Sequence, residues 1–266
     1  MKLGLILPYE GSLSFADALQ LTQRAEARGF DSVWMPEAYG TDAISILGAL
    51  AARTERIRLG TGIVNVFSRT PALLAHPVRA TVPIFLATLS PAGLRLTGEL
   101  ADGWMPTLFS PEHMDVFRPE LEAGARAAGR PLASLVIAPH VPVMVDDDRS
   151  RARDAVRPWV ALYVGGMGSR KKNFYNEVVT RYGYAEEARV IQDLYLTGKQ
   201  REAIRQVPDA LVDAITIAGP AGYVRDRLAA WSAAGVSLLV AAVHGKTQDD
   251  RLQTVEILSA ATADVH

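Results

Sequence analysis

RLGTGIVNVFSRTPALLAHPVRATVPIFLA, which runs from Arg58 to Ala87, decides the fold because it begins and ends as a buried strand. Its apolar ends predict two strands, and TPALLA between them has the pattern of a helix. A crossover between parallel strands needs about a dozen residues, and the segment from Asn65 to Thr81 supplies that many. The stretch therefore predicts a strand, a helix and a second strand with an unusually short connection.

The same alternation of strand and helix extends along the rest of the chain. Ser14 can cap a helix that ends at Gly29, and a second helix is predicted from Asp42 to Thr54. Because no hairpin turn separates the apolar runs, we expect parallel strands joined by crossover helices. Strands are predicted at Leu3–Pro8, Phe30–Glu37, Ile57–Val64, Pro83–Ala87, Gly103–Pro106, Leu135–Val145 and Leu238–Val243.

An eighth strand-like run, Ile215 to Ala218, leaves the topology open between an open sheet and an eight-stranded barrel. The residues after it, GPAGYVRDRL, fit a turn that leads into a helix equally well. Between Asp146 and Asp213 the chain is polar and mostly helical in pattern. That segment is predicted to lie outside the sheet.

Composition excludes several classes of function. Hydrophobic residues make up 49% of the chain and charged residues 21%, which is enough apolar material for a globular core. A net charge of -1 lacks the basic excess that nucleic-acid binding leaves in a sequence. The absence of cysteine excludes disulfides and thiolate metal sites, and it fits a reducing compartment. The apolar run after Met1 is too short for a signal peptide or a membrane span, so we expect a cytoplasmic protein.

Two strand ends carry patterns that suit a ligand, since functional residues of parallel α/β proteins collect at the carboxyl ends of strands. Leu86 to Gly93 (LATLSPAG) leads into a helix at Pro91, where free N–H groups and the helix dipole suit a phosphate. An ordinary strand-to-helix turn is the alternative. Gly60 to Asn65 (GTGIVN) has two glycines, which fit either close approach of a flat ligand or tight strand packing.

Few ionisable residues stand at strand ends. Glu37 is one of them, and it is a candidate general base or cofactor ligand. Capping of a loop is the alternative role for this carboxylate. His140 lies within the apolar IAPHVPVMV and is interpreted as a core histidine. Gly165 to Gly168 (GGMG) could bind an anion with the basic residues that follow, but a solvated loop is the favoured interpretation. No residues have metal-ligand spacing, so no metal site is predicted.

Five segments, in the same order along the chain, resemble one family. They are LGLILP, GFDSVWMPEAYG, RIRLGTGIVNVFSRTPALLA, PIFLATLSPAGLRLTGELADGWMPT and YVRDRLAAWSAAGV. Together they are similar to the bacterial luciferase-like monooxygenase superfamily, in its branch of oxidoreductases that depend on the deazaflavin coenzyme F420. The resemblance implies a TIM (β/α)8-type barrel, as one domain over residues 1–266 with a helical insertion at 146–213 before the last strand. It also implies a homodimer.

The resemblance assigns roles to individual residues. Gly62 and Ile63 match the bulge behind the cofactor ring, often a cis peptide, and the Thr88 to Ser90 segment matches the position that binds the cofactor phosphate. Thr107 matches the strand end on the substrate side. The positions that match the family's cofactor site are Gly62, Ile63, Asn65, Thr88, Leu89, Ser90 and Thr107.

The resemblance also implies the chemistry, which is hydride transfer between F420 and a small organic substrate. Glu37 matches the acid after the second strand and is the candidate catalytic residue. Some relatives carry a histidine beside this acid, whereas this chain has Ala38. Proton delivery by that histidine is therefore not expected here.

The opening stretch departs from the family after TPALLA. There the family adds a fourth strand with a Gly-rich turn, and then a loop and another helix, whereas Ala75 is followed here directly by His76. About one and a half of the eight β/α units are therefore absent. A seven-stranded barrel must close with altered shear or leave two edges to be covered. Alternatively, the natural polypeptide has residues here that the present sequence omits.

Three functional hypotheses follow. The leading one is an oxidoreductase that uses F420, and its rival within the superfamily is an FMN-dependent monooxygenase. The third is a non-catalytic flavin-binding or degenerate barrel. The non-fluorescent flavoprotein of luminous bacteria, a member of the superfamily that lacks a β/α portion, still binds a flavin derivative.

Overall fold

The strands of the protein are all short and parallel. The computed structural model describes residues 1–8, 14–37, 42–64 and 82–263. The strands in this part of the chain are β1 (Lys2–Ile6), β2 (Ser32–Met35), β3 (Arg58–Thr61), β4 (Phe85–Leu86), β5 (Gly103–Trp104), β6 (Val136–Ile137), β7 (His140–Val145), β8 (Ile217–Gly219) and β9 (Leu238–Val243). Every pairing between them is parallel, as the alternation with helices predicts.

Helices separate most of these strands. The described α-helices are α1 (Phe15–Ala27), α2 (Ala43–Ala51), α3 (Pro91–Leu100), α4 (Arg118–Ala127), α5 (Arg149–Ala161), α6 (Phe174–Arg181), α7 (Ala185–Leu196), α8 (Gln200–Arg205), α9 (Asp209–Ile215), α10 (Ala221–Ala233) and α11 (Gln248–Ala263). Helices α5 to α9 occupy most of residues 146–213, so this segment is mainly helical, as its sequence pattern predicts.

The helix starts follow local sequence signals. Ser14 caps α1 in a capping box, because its Oγ accepts a hydrogen bond from the Asp17 N–H (3.2 Å) and the Asp17 carboxylate accepts from the Ser14 N–H. Asp42 caps α2 through the Ser45 N–H (2.7 Å). Beyond the end of α1, Gly29 has a φ of 77°, the left-handed conformation that glycine adopts without strain.

One bent strand, residues 136–145, joins two sheets. Its first part, β6, pairs with β5 in a three-stranded sheet of order β4-β5-β6. Its second part, β7, pairs with β9 in a six-stranded sheet of order β3-β2-β1-β9-β7-β8. Ala138 and Pro139 lie at the bend. The two sheets therefore form one curved run of strands from β4 to β3.

The strand β8 stands outside this run. The sequence predicts a strand here, and β8 is one. It pairs with the last residues of β7, from Val143 to Val145, and so does not enter the run of barrel strands. The pairing of β7 with β9 places the final strand directly beside the bent one. The described barrel strands are thus seven, with β3 and β4 at the two ends of the run. The step from Ala75 to His76 lies between them, outside the described residues.

The curved sheet separates two apolar clusters. A large outer cluster packs the strands against the helices, with residues such as Leu5, Val33 and Leu239 fully buried. The opposite side chains of the same strands fill the barrel. We call this set the inner-wall cluster: Ile6, Trp34, Phe85, Met105, Val136, Ala138, Leu238, Val240 and Ala242. Alternation of side chains along each strand produces this division.

Trp34 fills the inside of the barrel beside the open side of the strand run. Its ring meets Phe85 of β4 edge to face, with ring centroids 5.3 Å apart, so β2 and β4 touch although no described strand lies between β3 and β4. Gly60 of β3 makes room for it, since a Cβ there would lie 2.6 Å from Trp34 Cε3. The indole N–H donates to Ser32 Oγ at 2.9 Å.

Helices α3 and α4 pack closely because each has a glycine at the crossing. A Cβ at Gly98 would overlap the Leu121 carbonyl, and one at Gly124 would overlap the Arg95 carbonyl. An ion pair between Arg95 and Glu120 spans the same crossing. Because α3 follows the predicted phosphate-binding segment, Thr88 to Ser90, this contact between the helices also holds that segment in place.

Gly124→Ala is expected to lower the free energy of unfolding by about 1–3 kcal/mol, since backbone atoms of α3 must move away from the new methyl group. Gly48→Ala is the matched control, because Gly48 lies in α2 with nothing within 4 Å of an added Cβ. That change should raise stability by at most about 1 kcal/mol through helix propensity. Urea unfolding measures both, and equal effects would contradict the close-packing account.

Candidate functional site

The candidate site lies where the inner wall of the barrel ends. Side chains alternate along a strand, so the residue two positions after an inward-facing residue also faces inward. We apply this rule to the last inward-facing residues of six strands, which are Ile6, Trp34, Gly60, Met105, Ala138 and Ala242. The residues two positions after them form a set that we call the mouth row. It consists of Pro8, Pro36, Gly62, Thr107, His140 and His244.

The ends of β2 and β3 are joined by backbone hydrogen bonds beyond the strands themselves. The Gly62 N–H donates to the Met35 carbonyl (3.0 Å), and the Glu37 N–H donates to the Ile63 carbonyl (2.9 Å). The Gly62–Ile63 peptide bond is cis, as the resemblance implies, and the Ile63 side chain is exposed. Glu37 is half-buried. Asn65 and residues 38–41, which include Ala38, lie outside the described residues.

The segment from Thr88 to Ser90 lies against the N-terminus of α3. Ser90 Oγ accepts from the Gly93 N–H (3.2 Å), and the Thr88 hydroxyl packs on Gly93, where an added Cβ would overlap it. Leu89 is buried. Ser90 thus caps the helix, while the Ala92 N–H has no acceptor within the helix. The structure is compatible with both the turn and the phosphate interpretation.

Thr107 and His140 are neighbours across β5 and the bent strand. They form a parallel bridge, and the His140 N–H donates to the Pro106 carbonyl at 2.9 Å. Residues in register on parallel strands face the same side of a sheet, so both side chains face the mouth. The next residue, Leu108, has a φ of 59°, and the Tyr182 hydroxyl donates to its carbonyl at 2.9 Å.

His140 is a strand-end residue for which the sequence favoured a core role over a catalytic one. The sequence suggested a satisfied core histidine, but the ring is only partly buried and lies at the mouth. Its edge meets the Trp159 ring, with centroids 5.8 Å apart. Burial, with a smaller contribution from His244, lowers the pKa of His140 from 6.5 to about 4. The informative signal was its position, two residues after the inward-facing Ala138.

His244 occupies the corresponding place at the end of β9. Its N–H donates to the Val143 carbonyl (2.8 Å), which continues the pairing of β9 with β7. Burial is the main cause that lowers the pKa of His244 to about 4, and the positive charge of Arg251 adds to it. Both imidazoles are therefore neutral at neutral pH.

An aromatic wall from the insertion covers one side of the mouth. Trp159 packs on Tyr163 (ring centroids 4.5 Å apart), and Tyr163 meets Tyr175 edge to face (4.9 Å). A π-helix at Leu162–Gly166 interrupts this wall, and Asn173 Nδ2 donates to the Tyr163 and Val164 carbonyls there. π-Helical turns occur often at functional sites.

Packing explains the glycines in the GGMG segment. A Cβ at Gly165 or Gly166 would come within 2.6 Å of the Tyr195 side chain. Arg170, just after them, forms an ion pair with Asp193. These contacts support a structural role for the segment in place of anion binding.

The described residues contain neither a metal-ligand cluster nor a membrane-spanning helix. Within 1–8, 14–37, 42–64 and 82–263, no three His, Cys, Asp or Glu side chains are grouped so that they could hold a metal ion. Nor does any helix in those ranges combine the length and apolarity needed to cross a bilayer.

Acidification from about pH 7 to pH 5 is expected to destabilise the protein through His140 and His244. Unfolded histidines bind protons near pH 6.5, whereas the folded ones do so only near pH 4, so the unfolded state gains protons first. Each of the two histidines should lower the free energy of unfolding by at most about 1.4 kcal/mol per pH unit within that window. Urea unfolding of His140→Gln should show a shallower loss than wild type. Thr107→Val, a neighbour without a titratable group, should keep the wild-type slope, and identical slopes in all three proteins would contradict the account.

The whole fold has counterparts among known proteins. The profile of the luciferase-like monooxygenase family matches residues 1–78 and 75–238. The match is in two pieces that meet at residues 75–78, where the sequence indicates the missing segment. Both pieces together cover most of the chain.

Individual relatives agree with this match. A provisionally named coenzyme F420-dependent oxidoreductase of Mycobacterium tuberculosis is 28% identical over 327 aligned positions, which cover 90% of this chain and 94% of the relative. That alignment is longer than the 266-residue chain, so the relative has residues that this chain lacks.

Solved structures show the same fold. The coenzyme F420-dependent tetrahydromethanopterin reductase of Methanopyrus kandleri superposes with a TM-score of 0.80 at 21% identity, over 97% of each chain. The FMN-bound oxygenating constituent of 3,6-diketocamphane monooxygenase from Pseudomonas putida gives 0.65 at 15% identity, over 99% of this chain and 98% of its own. The fold is thus a TIM-type barrel, of which the described residues form seven strands, and the chain belongs to the luciferase-like monooxygenase family.

Proposed function

We propose that the protein is an oxidoreductase that transfers hydride between coenzyme F420 and a small organic substrate. The observation that carries this proposal is the similarity, over 90% of the chain, to a protein named as an F420-dependent oxidoreductase. A cytoplasmic location and a homodimer are part of the same proposal.

The described strand ends fit such a coenzyme. Gly60 and Gly62 have no side chains, so the end of β3 offers bare backbone to a flat ring. At the other end of the strand run, the Thr88 hydroxyl and the N-terminus of α3 supply donors for a phosphate. We assign Leu89 and Ser90 to the same phosphate segment and Thr107 to the substrate side.

The coenzyme supplies the hydride chemistry, and the chain supplies orientation and a dry site. Trp159 and Tyr163 cover the mouth from the insertion and exclude water. Glu37, at the end of β2, is assigned to exchange the proton of the substrate hydroxyl. Its backbone hydrogen bond to Ile63 holds it beside the cis peptide.

An FMN-dependent monooxygenase is the second candidate, because an FMN-bound monooxygenase shares the fold. It is less favoured, since that structure superposes less well than the F420-dependent reductase. A degenerate barrel that binds a flavin without turnover would follow from the missing strand alone.

Coenzyme titration separates these candidates. Purified protein should bind F420 at least about tenfold more tightly than FMN, which corresponds to about 1.4 kcal/mol. Thr88→Val keeps the shape of the side chain and should weaken F420 binding by a similar factor. Thr180→Val, on the exposed face of α6, is the control and should bind normally. Tighter binding of FMN would support the monooxygenase.

Glu37→Gln should lower kcat by about 10²- to 10⁴-fold while the Kd for F420 stays unchanged, because the amide cannot accept the proton. Glu55→Gln is the control, since Glu55 is exposed and lies before the start of β3, away from the carboxyl ends of the strands. Turnover is measured from the F420 absorbance with a panel of alcohols, aldehydes and enones. Wild-type rates in Glu37→Gln would remove this residue from the mechanism, and no turnover by the wild type would favour the degenerate barrel.

A further inference from the structure

The chain segment that follows β5 carries Thr107 at the mouth and then turns into the core. Leu108 makes this turn, and its φ of 59° is the left-handed conformation. Among the described residues it is the single residue other than glycine with a positive φ. A bulky side chain adopts this conformation only where its surroundings enforce it, because its Cβ comes too close to the following carbonyl oxygen. The contacts of Leu108 therefore decide where Thr107 lies.

Packing anchors the side chains on the far side of this turn. Leu108 and Phe109 are both buried. The Phe109 ring contacts Trp104 and Trp231, with ring centroids 5.9 and 5.4 Å apart. These contacts hold the two side chains inside the protein, but they do not fix the rotation of the peptide plane between Leu108 and Phe109.

The Tyr182 hydroxyl fixes that peptide plane. Tyr182 follows α6 of the insertion, and its hydroxyl donates to the Leu108 carbonyl at 2.9 Å in a buried contact. Burial raises the pKa of the Tyr182 hydroxyl, so it remains a protonated donor throughout the physiological pH range. The Tyr182 ring stacks on His113, with centroids 4.6 Å apart, and meets Phe117 edge to face at 6.2 Å. The donor is therefore held in place by the packing of its own ring.

The neighbouring residue of the insertion contacts the same segment farther from the mouth. The Arg181 guanidinium donates to the Val116 carbonyl. Val116 lies well beyond Thr107 along the chain, whereas Leu108 is its direct neighbour. Of these two contacts, the one made by Tyr182 acts on the residue next to Thr107. Arg181 therefore provides a matched control.

We propose that Tyr182 is a positioning residue, which holds Thr107 in its place at the mouth by fixing the peptide that follows Leu108. The insertion thereby sets the geometry of the substrate side, in addition to covering the mouth with its aromatic wall. This assignment rests on the proposed function, in which Thr107 lies on the substrate side. Tyr182 is buried and its hydroxyl is bound to Leu108, so it acts through this backbone contact and does not touch the substrate.

Hydrogen exchange at the His140 amide tests this role without any coenzyme. The His140 N–H donates to the carbonyl of Pro106, directly before Thr107, so its exchange rate reports how firmly this strand end is held. Tyr182→Phe removes the hydroxyl and keeps the ring, and exchange of that amide, measured by NMR, should become at least about tenfold faster. Arg181→Gln removes the other contact and should leave the rate within about twofold of wild type. Wild-type exchange in Tyr182→Phe, or equal acceleration in both variants, would overturn the proposal.

Replacement of Tyr182 by 4-aminophenylalanine provides a rescue. Its amino group can donate to the same carbonyl oxygen from nearly the same place on the ring. Exchange at the His140 amide should therefore return to within about twofold of the wild-type rate. Exchange as fast as in Tyr182→Phe would show that this hydrogen bond does not hold the strand end, which would contradict the proposed role.

Turnover measurements connect this role to the proposed function. With a substrate from the panel, Tyr182→Phe should lower kcat/KM at least about tenfold, because a small displacement of a substrate-positioning group is costly to the rate. The Kd for F420 should stay unchanged, and Arg181→Gln should keep both values. An unchanged kcat/KM in Tyr182→Phe, or an equal loss of F420 affinity, would overturn the proposal.

The two experiments fail in different ways. If the wild-type protein does not bind F420 or turns over no substrate, the proposed function fails. Hydrogen exchange at the His140 amide in the coenzyme-free protein still decides whether Tyr182 holds the strand end that carries Thr107.

Discussion

The bent strand from Val136 to Val145 is the constraint on which the rest of the structure depends. Its first residues pair with β5 and its later residues with β9, so among the described strands it links the three-stranded and six-stranded sheets. Ala138 and Pro139 separate the part that pairs with β5 from the part that pairs with β9, and so join the two sheets into one run of strands. It also brings His140 beside Thr107 and aims both at the mouth.

An aromatic pair fills the barrel interior between β2 and β4. A complete barrel of this type fills its interior with side chains from eight strands. Here the wide ring of Trp34 on β2 reaches Phe85 on β4, and Gly60 leaves space for it. The edge-to-face contact buries apolar surface between these two strands of the described run.

The sequence predicted the succession of strands and helices along the chain and the helix starts, because buried parallel strands are continuous apolar runs and caps are local signals. The run at Ile215 to Ala218 shows the limit of that approach. It is a strand, but local pattern carries no information on its partner, and β8 pairs outside the barrel. The split of Leu135–Val145 at Pro139 was equally invisible, since both halves are apolar.

Candidate site residues were harder to predict because side-chain direction depends on register. Reading strand ends selected Glu37 for its charge and passed over His140 for its apolar neighbours. In the structure the inward-facing series of β2 runs from Ser32 through Trp34 to Pro36, while that of the bent strand runs from Val136 through Ala138 to His140. Alternation therefore brings a neutral imidazole to the mouth, although its apolar sequence neighbours favoured a place in the core.

The neutral charge state of the His140 ring has a consequence for how such a site can work. Hydride transfer to a carbonyl develops negative charge on its oxygen, and a neutral donor in a dry site stabilises that charge more than it stabilises the starting ketone. With its pKa lowered to about 4 by burial, His140 stays a neutral donor throughout the physiological pH range. The same burial that costs the protein stability in acid thus keeps this hydrogen-bond donor uncharged.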